Sequence, residues 1–288
     1  MSTGTIEIPF VNSRPPDWAS GYGQDRYGYF AAFSVATGPR YWEFITQRMR
    51  WIPPGTFQMG VADGETPSFG KETRHPVTLS RGFWLADTAC TQELWEAVMG
   101  SNPSNFKDAK RMLRPVEQVS FDDVSEFLEK LNQRVPHGML TLPTESQWEY
   151  ACRAGTTTPF SFGDTISTDQ VNFDGNRPYG DSPKGEYRQE TVDVKSLPAN
   201  RWGLYEMHGN VWEWCSDWYA EYSPESQVDP VGPATGSHRV RRGGSWFNYA
   251  RIMRSACRYW YDPGNRFNSL GFRLLSSASP DRNQRPNK

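Results

Sequence analysis

The side chains best suited to chemistry are few, and their spacing does not favour it. Cys90, Cys152, Cys215 and Cys257 form no Cys-x-x-Cys pair and no zinc pattern. His75, His137, His208 and His238 show no metal-ligand spacing. The stretch with most character is Arg239 to Leu275, RVRRGGSWFNYARIMRSACRYWYDPGNRFNSLGFRLL. Two framework blocks, Arg242-Gly243-Gly244-Ser245-Trp246 and Gly271-Phe272-Arg273-Leu274, bracket Phe247, Tyr249, Tyr259, Trp260, Tyr261 and Phe267, with Asn248, Asn268 and Ser269 among them. A core strand would alternate or run apolar throughout. Aromatics mixed with Ser, Asn and Gly are what binding surfaces use, because rigid rings give contact area at little entropy cost. Aromatic packing under irregular loops is the other reading of the same composition.

Something must position that stretch. Gln92-Glu93 with Leu94 and Val98 four apart, stopped by Gly100, predicts one helix. Ser120 with Asp123 starts a second, whose Val124, Phe127, Leu128 and Leu131 keep one apolar face; Thr144 with Gln147 caps a third. Short aromatic and β-branched runs predict strands: a hairpin over Tyr27 to Arg50 turning at Gly38-Pro39, then Thr56–Met59, Val77–Leu79, Phe83–Leu85 and Val211–Trp214. Residues 1–20 read as an arm. Residues 155–200, nearly all Gly, Pro, Asp, Asn, Thr and Ser, read as a long loop that something must pin, metal ions being one such pin.

An aromatic content of 14% excludes general disorder. With 31 Lys+Arg against 33 Asp+Glu, the chain lacks the net basic face a nucleic-acid or anionic-membrane binder needs. No run of 18 apolar residues predicts a membrane span, and the start lacks the pattern of a signal peptide, so the expectation is a cytoplasmic protein with reduced thiols.

Eight ordered motifs carry a resemblance: Pro54-Gly55-Thr56-Phe57-Gln58-Met59-Gly60, Arg114-Pro115-Val116 with Val119-Ser120-Phe121, Leu142-Pro143-Thr144-Glu145, Trp148-Glu149-Tyr150-Ala151, Gly203-Leu204-Tyr205, Gly209-Asn210-Val211-Trp212-Glu213-Trp214, Arg242-Gly243-Gly244-Ser245-Trp246 and Gly271-Phe272-Arg273. From about Trp51 to Leu275 the chain resembles the formylglycine-generating enzyme (sulfatase-modifying factor) family. The resemblance implies one α+β domain with a C-type lectin-like core of small twisted antiparallel sheets, flanking helices and much loop, over residues 51–275. An arm and hairpin (1–50) would precede it and a polar tail (276–288) follow it.

In the enzymes of that family two cysteine thiolates hold copper, the soft ligands Cu(I) needs. Those positions fall on Asn248 and Met253, and Cys257 lies four residues beyond without a partner, so no copper is expected. Variable proteins of diversity-generating retroelements share the fold and end in a similar segment. There a reverse transcriptase rewrites codons by mutating template adenines. Phe247, Asn248, Tyr249, Ile252, Cys257, Tyr259, Tyr261, Phe267, Asn268 and Ser269 are all reachable from Asn codons, whereas Trp260 needs another origin such as an AGG codon. The resemblance therefore implies a non-catalytic binder whose variable face is these eleven residues within 239–275. Its ligand would be an unidentified molecule, expected to be a protein. A formylglycine-generating copper oxidase using Cys257, and an unvarying regulatory domain fused to or docked on others through residues 1–50, are the alternatives. The resemblance also implies structural calcium, with Glu206 and Glu213 and the Gly209 and Val211 carbonyls at one site and Asn172 with the Phe173 carbonyl beginning a second. All-oxygen coordination suits Ca²⁺.

Overall fold

Helix starts are fixed by side chains that fold back on their own backbone. In the computed structural model, which describes residues 15–37, 43–62, 64–65, 67, 71–108 and 112–277, Ser120 and Asp123 cap each other's backbone N–H, as do Thr144 and Gln147. These open the helices α2 (Phe121–Arg134) and α3 (Glu145–Arg153); the shorter α1 (Gln92–Met99) is capped by Thr91 and closed by Gly100 in the left-handed region. All three helices stand where the sequence places them.

The strands are β1 (Gly21–Asp25), β2 (Gly28–Ala36), β3 (Phe44–Ile52), β4 (Gly55–Met59), β5 (His75–Leu79), β6 (Phe83–Ala86) and β7 (Leu140–Thr141). After α3 come β8 (Trp212–Trp218), β9 (Gln227–Val228), β10 (Arg239–Arg242), β11 (Arg258–Tyr261), β12 (Leu270–Phe272) and β13 (Leu275–Ser276). They form a six-stranded sheet β1-β2-β3-β6-β13-β7, a four-stranded sheet β11-β10-β8-β12 and a three-stranded sheet β4-β5-β9. The hairpin of β2 and β3 is antiparallel as expected; its Gly38-Pro39 turn lies outside the described residues. β3 runs across residue 50 and pairs with β6, so the hairpin is built into the largest sheet. Trp18, just after the described chain begins, is buried edge-on against Trp84.

One apolar cluster gathers Trp84, Trp95, Phe127, Trp214 and Phe272 between helices and sheets. A second, around Trp148, Leu204, Met207 and Val240, lies beneath α3. Residues 155–200 contain no helix or strand, only isolated bridges such as Asn172 with Gly209. Backbone hydrogen bonds pin them: Ser255 N–H to Pro159 O, Asp174 N–H to Asn248 O and Val194 N–H to Leu113 O, with Phe160 and Phe173 buried. No helix among the described residues is long and apolar enough to cross a membrane.

Candidate binding face

The segment 239–275 separates into two populations. Its framework arginines turn inward. Arg242 ion-pairs with Glu149, Arg254 Nη2 donates to both Glu72 oxygens at 2.9 and 2.8 Å, and Arg258 and Arg273 fork through two nitrogens, onto Glu145 at 2.7 and 2.6 Å and onto Glu213 at 2.8 Å. All four are buried. Bidentate guanidinium–carboxylate pairs are geometrically demanding, so they fix the backbone that carries them. Arg266 is the exception, exposed but forked onto Asp123 at 2.7 Å.

The aromatics turn outward. Phe247 (43% exposed), Tyr249 (38%) and Phe267 (39%) are the exposed large rings of the segment, and Tyr259 and Tyr261 are half-buried. Trp212 of β8, itself buried, joins the two halves. Its indole N–H donates to the Asn248 side-chain oxygen at 2.9 Å, and its ring lies 6.4 Å from Tyr259. Ser245 donates to the same Asn248 oxygen at 2.8 Å. Tyr261 stacks obliquely on Phe267 at 4.6 Å, and the Trp246 indole N–H donates to the Asn268 carbonyl at 3.0 Å. Asn248, Tyr259, Tyr261 and Phe267 are thus linked through Trp212 and the 6.2 Å contact of Tyr259 with Tyr261, while Phe247 and Asn268 both meet Trp246.

Three residues of the expected face sit elsewhere. Ile252, on the buried side of a 3-10 turn (Ala250–Met253), belongs to the core. Cys257 is fully buried, its carbonyl taken by Arg242. Ser269 is buried, its carbonyl accepting the Trp212 backbone N–H at 2.8 Å. Each serves the framework, because the ladder and the core claim it before solvent does. Trp260 stays beside the face: half-buried like its neighbours, it stacks on Tyr259 at 4.8 Å and 17° and also leans on Tyr219 at 4.4 Å, a ring that Arg258 covers at 4.3 Å. The long loop contributes residues that local sequence did not flag: Tyr187 stacks on Trp246 (6.3 Å, 18°) and Arg177 lies 5.8 Å over Tyr249. Phe106 meets Trp246 edge-on at 5.3 Å. These partners are far apart in sequence, and no periodicity marks them.

The thiol and imidazole groups have other uses. All four cysteines are buried, and none is in a disulfide among the described residues. Cys152 Sγ lies 3.6 Å from His208 Nε2, but burial pushes the thiol up to about 12 and the imidazole down to about 4, the reverse of an activated pair. Asn248 is held as described, and Met253 is fully buried with its methyl against Gly244, where a Cβ would lie 2.1 Å away.

The expected calcium ligands divide. Glu213 does not fit: its oxygens accept from Arg273 and from the Trp148 indole N–H at 2.7 Å, so its charge is already balanced. Burial also pushes the Glu206 carboxyl up to about 8, and its Oε1 accepts the Lys195 backbone N–H at 3.0 Å. Glu213 is thus taken by Arg273 and Trp148, whereas Glu206 Oε2 is buried with no hydrogen-bond partner among the described residues and stays open to a cation. At the second place Asn172 is fully buried, and its Nδ2 donates to the Glu190 carbonyl and Asn210 Oδ1. Its Oδ1 has no hydrogen-bond partner among the described residues, which suits a cation ligand.

Small antiparallel sheets, few helices and a long pinned loop, with rings presented at one end of a four-stranded sheet, define an α+β protein of the C-type lectin-like type. The chain belongs to the sulfatase-modifying factor family, since residues 40–278 match its model, the sulfatase-modifying factor enzyme 1-like domain. It is 32% identical over 269 residues to the formylglycine-generating enzyme of Thermomonospora curvata, covering 88% of this chain and 80% of that one. The solved Treponema denticola variable protein 1 superposes with a TM-score of 0.71 at 29% identity, over 85% of this chain and 98% of its own. PvdO from Pseudomonas aeruginosa shares the fold at a TM-score of 0.66 and 22% identity, over 90% of this chain and 98% of its own.

Proposed function

We propose that this protein is a non-catalytic binder, the variable protein of a diversity-generating retroelement, which displays a diversified aromatic face on a lectin-like scaffold. The observation that carries the reading is the division within one segment. Arginines 242, 254, 258 and 273 are committed to buried carboxylates, while the rings of Phe247, Tyr249 and Phe267 are exposed and Tyr261 is half-exposed among them. Such a face can be rewritten without disturbing the core, and exposed aromatic anchors supply most of the affinity of protein interfaces. The likeness to Treponema denticola variable protein 1 supports it.

The copper-oxidase alternative draws on the enzyme relatives. Against it, Asn248 and Met253 occupy the thiolate positions that the resemblance assigns, and neither side chain is a soft anion. Calcium in this reading is structural. Asn172 Oδ1 and the Phe173 carbonyl would hold it and tie the long loop to the turn at Asn210.

Sequencing the DNA flanking the gene tests the proposal. A reverse-transcriptase gene with a near-copy of the codons for Arg242 to Leu275, differing only at template adenines, is the expected result. A locus with neither sinks the variable-protein reading. Copper-dependent oxygen consumption with a cysteine-containing peptide would revive the oxidase.

A further inference from the structure

Seven arginines are buried in the described chain: 50, 153, 241, 242, 254, 258 and 273. Six of them sit on a carboxylate: Arg50 on Asp25, Arg153 and Arg242 on Glu149, Arg254 on Glu72, Arg258 on Glu145 and Arg273 on Glu213. Arg241 makes no ion pair among the described residues. Its guanidinium carbon lies 3.7 Å from the Tyr261 ring centre, 4.1 Å from Trp212 and 4.7 Å from Tyr259; it hydrogen-bonds the neutral Tyr261 side chain, and its Nε has no hydrogen-bond partner among the described residues. Arg239, two residues earlier in β10, is likewise held by rings, Trp218 at 3.5 Å and Phe121 at 4.2 Å, with no ion pair among the described residues. Burial holds the Arg241 guanidinium down at about 10 and lowers that of Arg239 too.

A buried charge stripped of its partner typically costs about 3–5 kcal/mol. Ring faces return only part of that, roughly 0.5–2 kcal/mol for a cation over an aromatic. The rule elsewhere in this protein is to supply a carboxylate; here, against the half-exposed Tyr259 and Tyr261, the described residues supply none. We infer that the anion comes from the ligand: a carboxylate side chain of a bound protein reaches between Tyr259 and Tyr261 and completes Arg241. This rests on the binding-face reading and names the chemistry of what the face takes. Arg241 belongs to β10, outside the codons expected to vary, whereas Tyr259 and Tyr261 are among them. The anion anchor is therefore constant, and the rim around it sets which acidic partner fits. A planar guanidinium fork matches a carboxylate in two hydrogen bonds, which a lysine cannot do.

The test is selection of a displayed random-peptide library against the whole chain. Binders are sorted by whether they lose affinity on a Phe247→Ala, Tyr249→Ala double variant, which reports use of the face. Face-dependent binders should be enriched in Asp and Glu over the starting library. They should weaken on the order of 10–100-fold on Arg241→Gln, the worth of a hydrogen bond to a charged group. Arg241→Lys, which keeps the charge and loses the fork, should weaken them less, and it serves if the Gln variant does not fold by circular dichroism. Glutarate should compete with the peptides at matched ionic strength; competition by inorganic phosphate alone would overturn the carboxylate assignment. Face-dependent binders without acidic enrichment and indifferent to both Arg241 variants would overturn the inference and leave the face standing. Failure to recover any face-dependent binder would sink the face reading, and this inference with it.

Discussion

The indole N–H of Trp212 donates to the side-chain oxygen of Asn248 at 2.9 Å, so a buried tryptophan of β8 holds a residue of the candidate face. Because Trp212 also carries Tyr259 and Arg241 on its ring, it couples the scaffold to both halves of that face. Trp212→Phe keeps most of the apolar volume but removes the donor. The expected loss is about 1 kcal/mol of stability from one net hydrogen bond. Ligand affinity should fall by more than that loss of stability explains, measured by titration at a temperature where the variant is fully folded.

Tyr261 and Trp260 are neighbours with different expected consequences. Tyr261→Ala should leave the melting temperature within a few degrees and weaken ligand binding by roughly tenfold or more, as for an interface anchor. Trp260→Ala, which strips the packing on Tyr219, should lower stability by about 1–3 kcal/mol. Equal loss of stability in both variants would place Tyr261 in the core and count against the face.

The Arg273–Glu213 pair should be far more sensitive to loss of one partner than of both. Glu213→Gln leaves a buried guanidinium without its anion and should cost about 3–5 kcal/mol. Chemical denaturation of the single variant and of a Glu213→Leu, Arg273→Met double variant checks this. The double variant should recover part of the loss.

Asp217 makes stability depend on pH. Burial, with Glu145 nearby, raises its carboxyl to about 7 from 3.8. The folded state therefore holds a proton that the unfolded chain has released between pH ~4 and ~7, so this group's contribution is present at low pH and is lost as pH rises through that window. Asp217→Asn keeps an acceptor for the Glu145 backbone N–H, which Asp217 Oδ2 takes at 2.8 Å. The variant should match the parent near pH 4.5 and be the more stable above pH 7, by up to a few kcal/mol. Parallel slopes of melting temperature against pH in the two proteins would reject it.

Calcium should stabilise the folded chain through Asn172. Addition of Ca²⁺ to chelator-treated protein should raise the melting temperature, since a ligand held only by the folded state stabilises by mass action. Asn172→Ala should abolish the increment, while Glu213→Gln should lower the baseline and leave the increment.

Local signals were sufficient for the helices, whose caps are completed within four residues, and for most strand cores, where alternation and turn chemistry act at short range. Eight ordered motifs were sufficient for the family and hence the fold. The face was only partly legible. Composition pointed to a surface role for the rings of 247–267, and Phe247, Tyr249 and Phe267 are exposed, but exposure is a property of the folded surface. Ile252, Cys257 and Ser269 are taken into the core or the ladder by contacts that the sequence does not order. The charge balance of the interior was not legible either. Arg241 and Arg242 are adjacent and chemically identical, yet strand alternation sends Arg242 onto the buried Glu149 and Arg241 into a cage of rings with no anion among the described residues. The sequence determines which residues are present and the period at which their side chains point. Only tertiary structure decides which carboxylate, ring or ligand each charge meets, because those partners come from chain positions tens of residues away.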